Sequence, residues 1–146
     1  MNKGIAIIKK WEGLRLKSYL CTSKVWTIGY GATFYENGSR VQPNETITID
    51  RADRLLLMQV KLFADQVDKI VKSKINENQR SALISFCFNV GASAFRKSVL
   101  AKKVNKNPND LTIRDEFMRW TRSGGKVVQG LINRRTDEAN LYYEPI

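Results

Sequence analysis

Three side chains near the start of the chain have types suited to hydrolytic chemistry. Glu12 follows Trp11 and precedes Gly13. A carboxyl beside an apolar ring is disfavoured in its charged form, so it tends to keep its proton near neutral pH, as a general acid must. Cys21 and Thr27 lie just downstream. A thiol with a pKa of about 8.5 is mostly protonated at pH 7, but a positive surrounding field favours the thiolate. Taken singly, each residue has a plainer reading: a Glu at a helix end is usually a solvated charge, a free Cys a small buried apolar group, and a Thr in a strand a β-former. The chain has no histidine, which removes Ser-His and Cys-His nucleophilic pairs, so acid–base work falls to Glu, Asp, Lys, Tyr or Cys. The spacing of Cys21 and Cys87 matches no zinc pattern, and neither a metal nor a cofactor is expected. A Cys21–Cys87 bridge is the alternative to two free thiols; a chain able to build a core without staples makes free thiols the expectation.

The elements that must position these residues follow from hydrophobic periodicity. Residues 4–12 predict a short helix with Ile5, Ile8 and Trp11 on one side. Residues 15–34 are rich in β-formers, broken at Thr22-Ser23-Lys24, and predict a small antiparallel hairpin or sheet. Asn37-Gly38-Ser39 marks a turn. From about Asp50, the recurrence of Leu56, Val60, Phe63, Val67 and Ile70 predicts a long helix, capped by Thr48 or Asp50. A break over 74–78 precedes a second helix carrying Ala82, Leu83, Phe86 and Val90, stopped by Gly91. One short helix is expected over 95–104 and a loop over 105–109. A capping box at Thr112–Asp115 should open a helix through Trp120, Gly124-Gly125 should turn, and a last helix should run over 131–143. This is an α+β architecture: a small β-rich lobe over about 13–47, and a larger helical lobe over about 72–146 plus the N-terminal helix. The long helix joins them, with a ligand cleft between the lobes. The whole, 1–146, reads as a single domain.

Charge narrows the partners. Lys and Arg total 25 against 14 Asp and Glu, giving +11, which favours polyanions such as nucleic acid, anionic membrane surface or an acidic wall polymer. The basic residues are dispersed, and no nucleic-acid-binding motif accompanies them, so specific nucleic-acid recognition is not expected. The run Ile5–Ile8 is far too short to cross a bilayer, so neither a signal peptide nor stable membrane insertion is expected, and synthesis in a cytoplasm is.

Glu12, eight residues, Cys21, five residues and Thr27 resemble the catalytic signature of the phage-type lysozymes, glycoside hydrolase family 24. The flanking Glu12–Leu16 and Val25–Gly31 segments are similar to that family's N-terminal block. Asn78-Gln79, Ser85-Phe86, Phe88–Gly91 and Ala94-Phe95 are similar to a second block. Glu116-Phe117, Trp120, Gly124–Lys126, Gly130-Leu131, Arg134-Arg135 and Glu138 resemble a third. The pattern resembles the family's lambdoid-phage branch more than the larger coliphage lysozyme. Two positions depart: Cys21 stands where many members carry Asp, a variation the family pattern admits, and Ala32 where many carry His.

The resemblance implies a lysozyme-like fold and a muramidase (endolysin) that cuts the β-1,4 bond between N-acetylmuramic acid and N-acetylglucosamine in peptidoglycan. Glu12 would be the proton donor, with Cys21 and Thr27 positioning a water on the opposite face of the sugar, with inversion. It also implies that Asn89 contacts the glycan. Tyr30 and Trp120 could offer ring faces to sugars, although aromatics are more often buried. Arg134 and Arg135 pair within the lobe or contact substrate; both readings stand. The implied role is host lysis by a monomer held in the host cytoplasm until it reaches the wall. The alternatives are a lytic transglycosylase, which uses no water, and a non-catalytic peptidoglycan-binding relative.

Overall fold

A computed structural model describes residues 2–146. The chain divides into two compact units, one formed by the residues up to Trp11 together with Phe63–Ile146 and the other by Glu12–Leu62.

The smaller unit is built around a hairpin. Strands β1 (Arg15–Leu20) and β2 (Trp26–Gly29) pair antiparallel, with Tyr19 opposite Thr27 and Leu20 opposite Trp26. The loop closes through Lys24 N–H to the Cys21 carbonyl at 2.8 Å and Cys21 N–H to the Val25 carbonyl at 3.1 Å. Lys24 takes a left-handed conformation, φ 59°, to complete the turn. The segment after Asn44 returns to β1: Ser18 N–H donates to the Glu45 carbonyl and Ile47 N–H to the Leu16 carbonyl. At Asn37–Ser39 the Asn37 side chain accepts from Ser39 N–H at 2.9 Å, so the expected turn is an Asx turn. Ile28, Ala32, Tyr35, Val41, Ile47, Ala52 and Leu55 form this unit's core.

Helix α2 (Ile49–Ile70) has the expected periodicity, burying Leu56, Val60 and Val67, and Thr48 caps it by accepting from Arg51 N–H at 3.1 Å. No helix among the described residues is long and apolar enough to cross a membrane.

The helical unit starts with α1 (Asn2–Glu12), two residues longer at its start than its sequence pattern suggests. At Gly4 a Cβ would meet the Ser81 carbonyl oxygen at 2.6 Å, so only glycine lets this helix lie so near α3 (Glu77–Val90). A capping box opens α3: Asn76 Oδ1 accepts from Gln79 N–H at 2.8 Å, and Gln79 Oε1 accepts from Asn76 N–H at 2.9 Å. Phe86 is the hub of the core, edge-on to the rings of Phe95, Phe117 and Trp120.

Several expectations need correction. The single helix over 95–104 is two, α4 (Ala92–Lys97) and α5 (Val99–Lys106). Extended Ser98, ψ 151°, breaks the run, and its hydroxyl accepts from Ala101 N–H to cap the second piece. Asn105 and Lys106 therefore end a helix instead of beginning a loop. The capping box at Thr112 does not form: Thr112 is already helical and its hydroxyl donates to Asp110 Oδ1 at 2.7 Å. Helix α6 (Ile113–Met118) stops short of Trp120. Gly124-Gly125 turns a two-residue hairpin, β3 (Arg122–Ser123) and β4 (Lys126–Val127), which the sequence left unassigned. The last helix, α7 (Gln129–Tyr143), begins two residues early.

Helices α3 and α7 are joined by a buried ionic cluster. Glu138, fully buried, accepts from the Ser85 hydroxyl at 2.6 Å, from Arg134 Nε at 3.2 Å and from Arg135 Nη1. Arg134 also donates to the Ser85 carbonyl. Removing the negative charge leaves two buried guanidinium groups uncompensated. Glu138→Gln is expected to lower the unfolding free energy by about 3 kcal/mol, and Asn76→Ala by about 1 kcal/mol. Urea unfolding checks both; equal, negligible shifts would contradict this account.

Candidate active site

Glu12 is the last residue of α1, and Gly13 at φ 75° turns the chain out of the helix. Its carboxylate lies in the smaller unit against a tight turn. Ile28 and Ala32 exchange backbone hydrogen bonds, both 2.8 Å, pinching off Gly29-Tyr30-Gly31. Gly31 sits at φ 96°, and Glu12 Oε1 is 3.6 Å from where its Cβ would be. The loop therefore brings bare backbone to the carboxylate. Trp11, the ring expected beside Glu12, donates its indole N–H to Asp137 Oδ2 at 2.8 Å, with the Lys10 ammonium 4.9 Å from the ring centroid.

Cys21 opens the hairpin loop and Thr27 lies on β2, buried at 4% exposure. Val25 and Thr27, beside the Cys21 thiol, hold it below its ordinary pKa: the Val25 backbone contributes most, Thr27 next, and desolvation opposes both. The Thr27 hydroxyl also donates to the Val25 carbonyl at 2.9 Å. A hydroxyl has one proton, so donation to sulfur and donation to that carbonyl are alternatives. Cys87 is different: fully buried on α3, its thiol is pushed up to about 11 by desolvation. Both cysteines are free.

The expected sugar-contacting residues separate. Tyr30 is half-buried against the core of the smaller unit. Asn89 and Trp120 meet in the helical unit, lining one concavity of about 430 Å³ with Arg119, Arg122 and Arg135. Trp120 is half-buried, its ring 5.5 Å from that of Phe86, so one side of it belongs to the core. Arg134 and Arg135 pair with Glu138 within their own unit. Arg135 reaches further, donating to the Trp120 carbonyl at 2.9 Å and to Asn89 Oδ1. Sequence reasoning did not foresee this link or the role of Arg122 in the β3–β4 hairpin. The only signal for either was the Arg-rich composition of 114–135. Among the described residues, no cluster of three or more His, Cys, Asp or Glu could hold a metal ion.

A model of the phage lysozyme family matches residues 9–138. The chain is 45% identical over 141 residues to an endolysin of Bacillus phage PZA, covering 95% of this chain and 53% of that protein. It is 35% identical to an endolysin of Acyrthosiphon pisum secondary endosymbiont phage 1, covering 97% of this chain and 95% of that one. The chain spans about half the length of the Bacillus phage endolysins it matches. Its fold is lysozyme-like: it superposes on the endolysin from Escherichia coli O157:H7 phage FAHEc1 with TM-score 0.90 at 32% identity, covering 99% of this chain and 92% of that one.

The lowered thiol gives a direct readout. Alkylation of Cys21 by iodoacetamide is expected to rise with pH at a midpoint below that of free cysteine, while Cys87 stays unreactive under native conditions. Thr27→Val should move the midpoint upward. A midpoint at or above that of free cysteine, or no response to Thr27→Val, would contradict this account of the thiol.

Proposed function

Because the chain belongs to the phage lysozyme family, we propose that it is a muramidase that hydrolyses the β-1,4 bond between N-acetylmuramic acid and N-acetylglucosamine in peptidoglycan. The observation that carries this reading is the placement of Cys21 and Thr27 on one hairpin, in the same compact unit as the Glu12 carboxyl, which meets the Gly31 turn. Glu12 transfers its proton to the bridging oxygen as the glycosidic bond breaks. Thr27, through its lone pairs, and Cys21 hold a water on the opposite face of the sugar. As that water attacks the anomeric carbon, its proton passes to the sulfur when Cys21 is a thiolate, and the product is inverted. The low Cys21 pKa supports this part because it enlarges the fraction of sulfur able to accept a proton near neutrality. Asn89 binds the glycan from the helical unit, and Tyr30 and Trp120 border it.

The charge fits the same substrate. Peptidoglycan and its associated polymers are anionic, and a chain of +11 is drawn to them. The enzyme acts as a monomer, in a single domain spanning both units. It waits in the host cytoplasm until it is admitted to the wall, which it opens at lysis.

Purified peptidoglycan should lose turbidity with the wild type, and Glu12→Gln should slow clearing by about a hundredfold or more. Mass spectrometry should find reducing ends. Anhydro ends would make the enzyme a transglycosylase, and no clearing by a folded wild type would leave a binding module. The wild-type rate should also fall as ionic strength rises beyond about 0.15 M; a salt-independent rate would remove the electrostatic part of the argument.

A further inference from the structure

The smaller unit carries a cavity of about 170 Å³ to which Lys24, Trp26, Thr33, Arg40 and Gln42 contribute. Trp26 precedes Thr27 on β2, so their side chains leave the strand on opposite faces, which sets Trp26 apart from the face that carries Thr27. No carboxylate lines the cavity. Glu36 and Glu45, the acids on either side of Arg40 and Gln42 in the chain, are engaged elsewhere. Glu36 pairs with Arg51, and Glu45 accepts from the Tyr35 hydroxyl at 2.9 Å and from Gln42 N–H at 2.6 Å. Among the described residues neither Lys24 nor Arg40 makes an ion pair. Two cations from separate segments thus border one small space without a counter-charge. Both are constrained. Arg40 lies opposite Phe34 in an isolated bridge, its guanidinium 5.0 Å from the centroid of the Phe34 ring. Lys24 holds the left-handed position of the hairpin loop at φ 59°. Glycine takes that conformation freely and asparagine tolerates it, as Asn44 does at φ 63°. Lysine has no such advantage there; what it adds to the loop is a positive charge beside the cavity.

Size and donor geometry define what fits. Sites for whole organic ligands occupy roughly 300 Å³ or more, so this cavity takes a single functional group. An ammonium and a guanidinium only donate, and the Gln42 amide and Thr33 hydroxyl have donors to add. A carboxylate presents two coplanar oxygens, which one guanidinium fork satisfies. Donors arriving both from the loop at Lys24 and from the segment of Arg40 and Gln42 are met together by the diverging oxygens of a tetrahedral phosphate, for which Lys serves as a point charge and Arg as a fork. We propose that this cavity binds a phosphate group of a phosphodiester polymer attached to the wall glycan, with Lys24 and Arg40 as its charged contacts and Gln42 and Thr33 completing the donors. The site is separate from Glu12, Cys21 and Thr27, and it gives the enzyme a second hold on its target. Only the assignment of the phosphate to the wall rests on the peptidoglycan reading above; phosphate binding does not require that a strand be cut.

The test is an NMR titration of the full chain with a soluble glycerol-phosphate oligomer, following the Trp26 indole N–H and the Arg40 Nε–H in wild type, Lys24→Gly and Arg40→Gln. Ionic strength is held constant, so that the general attraction of a +11 chain for polyanions stays the same throughout. Saturable shifts of both N–H groups are expected in the wild type, with Kd raised by about tenfold in each variant. Glycine accepts the left-handed conformation without strain, so Lys24→Gly should not lower the thermal unfolding midpoint, and its lost affinity then reports a lost charge and not a lost fold. Absence of saturable shifts in the wild type overturns the proposal, as does a Kd that neither variant changes. Equally tight binding of polyglutamate, weakened by the same variants, would overturn the choice of phosphate. Cosedimentation with vesicles of equal parts phosphatidylcholine and phosphatidylglycerol at a lower Kd than the oligomer's would overturn the wall as its source. Saturable, variant-sensitive shifts in a protein that clears no peptidoglycan would support the phosphate site while removing the muramidase reading.

Discussion

Glu138 is a single carboxylate from which much of the helical unit takes its geometry. It lies fully buried between α3 and α7 and satisfies two guanidinium groups and a hydroxyl at once. Desolvating three charges is costly, and an apolar replacement of equal volume would often be as stable. What apolar packing would not supply is direction. Through Glu138 the Arg135 guanidinium is held in one plane, against the Phe86 ring at 4.9 Å, and from there it fixes the Trp120 carbonyl and the Asn89 side chain. A charge network in the core thus reaches the surface as the orientation of one amide.

The smaller unit solves the same problem with backbone. Glu12, Cys21 and Thr27 come from a helix end, a loop and a strand, and none of them is fixed by a salt bridge to another. The hairpin register sets Thr27, the closed turn after Leu20 sets Cys21, and the pinched turn between Ile28 and Ala32 meets Glu12. Groups that must exchange protons sit on short irregular segments, and the ladder and the core beneath supply the rigidity.

How much of this was legible varied with the range of the interaction. The stripe of α2 and its Thr48 cap, the Asn37 turn and the Gly91 stop are local patterns, and the structure has them. The Thr112 cap was a local pattern overridden by a nearer acceptor, Asp110. Ser98 divides a helix because its own side chain caps the second half, a competition that periodicity cannot register. Two-residue strands such as β3 and β4 carry too little alternation to be seen. At the candidate site, motif spacing picked out Glu12, Cys21 and Thr27, and the structure sets the last two on one hairpin. It could not show that Arg135 holds Asn89, because that contact joins residues 46 positions apart. Nor could it show that Trp11 is engaged by Asp137.

Gly31 closes a route of change. Its φ of 96° is strained for any L side chain, and a Cβ there would rest in contact with the Glu12 carboxylate. Alanine is already the smallest step away from glycine, so this position offers no gradual series of variants through which selection, natural or in a laboratory library, could retune the carboxylate. Gly13 differs: it too has positive φ, but a Cβ there meets nothing within 4 Å. Asparagine and aspartate tolerate that conformation. The adaptable side of Glu12 is therefore the end of its own helix, while the turn facing it is fixed, and a library aimed at the acid should be spent on the former.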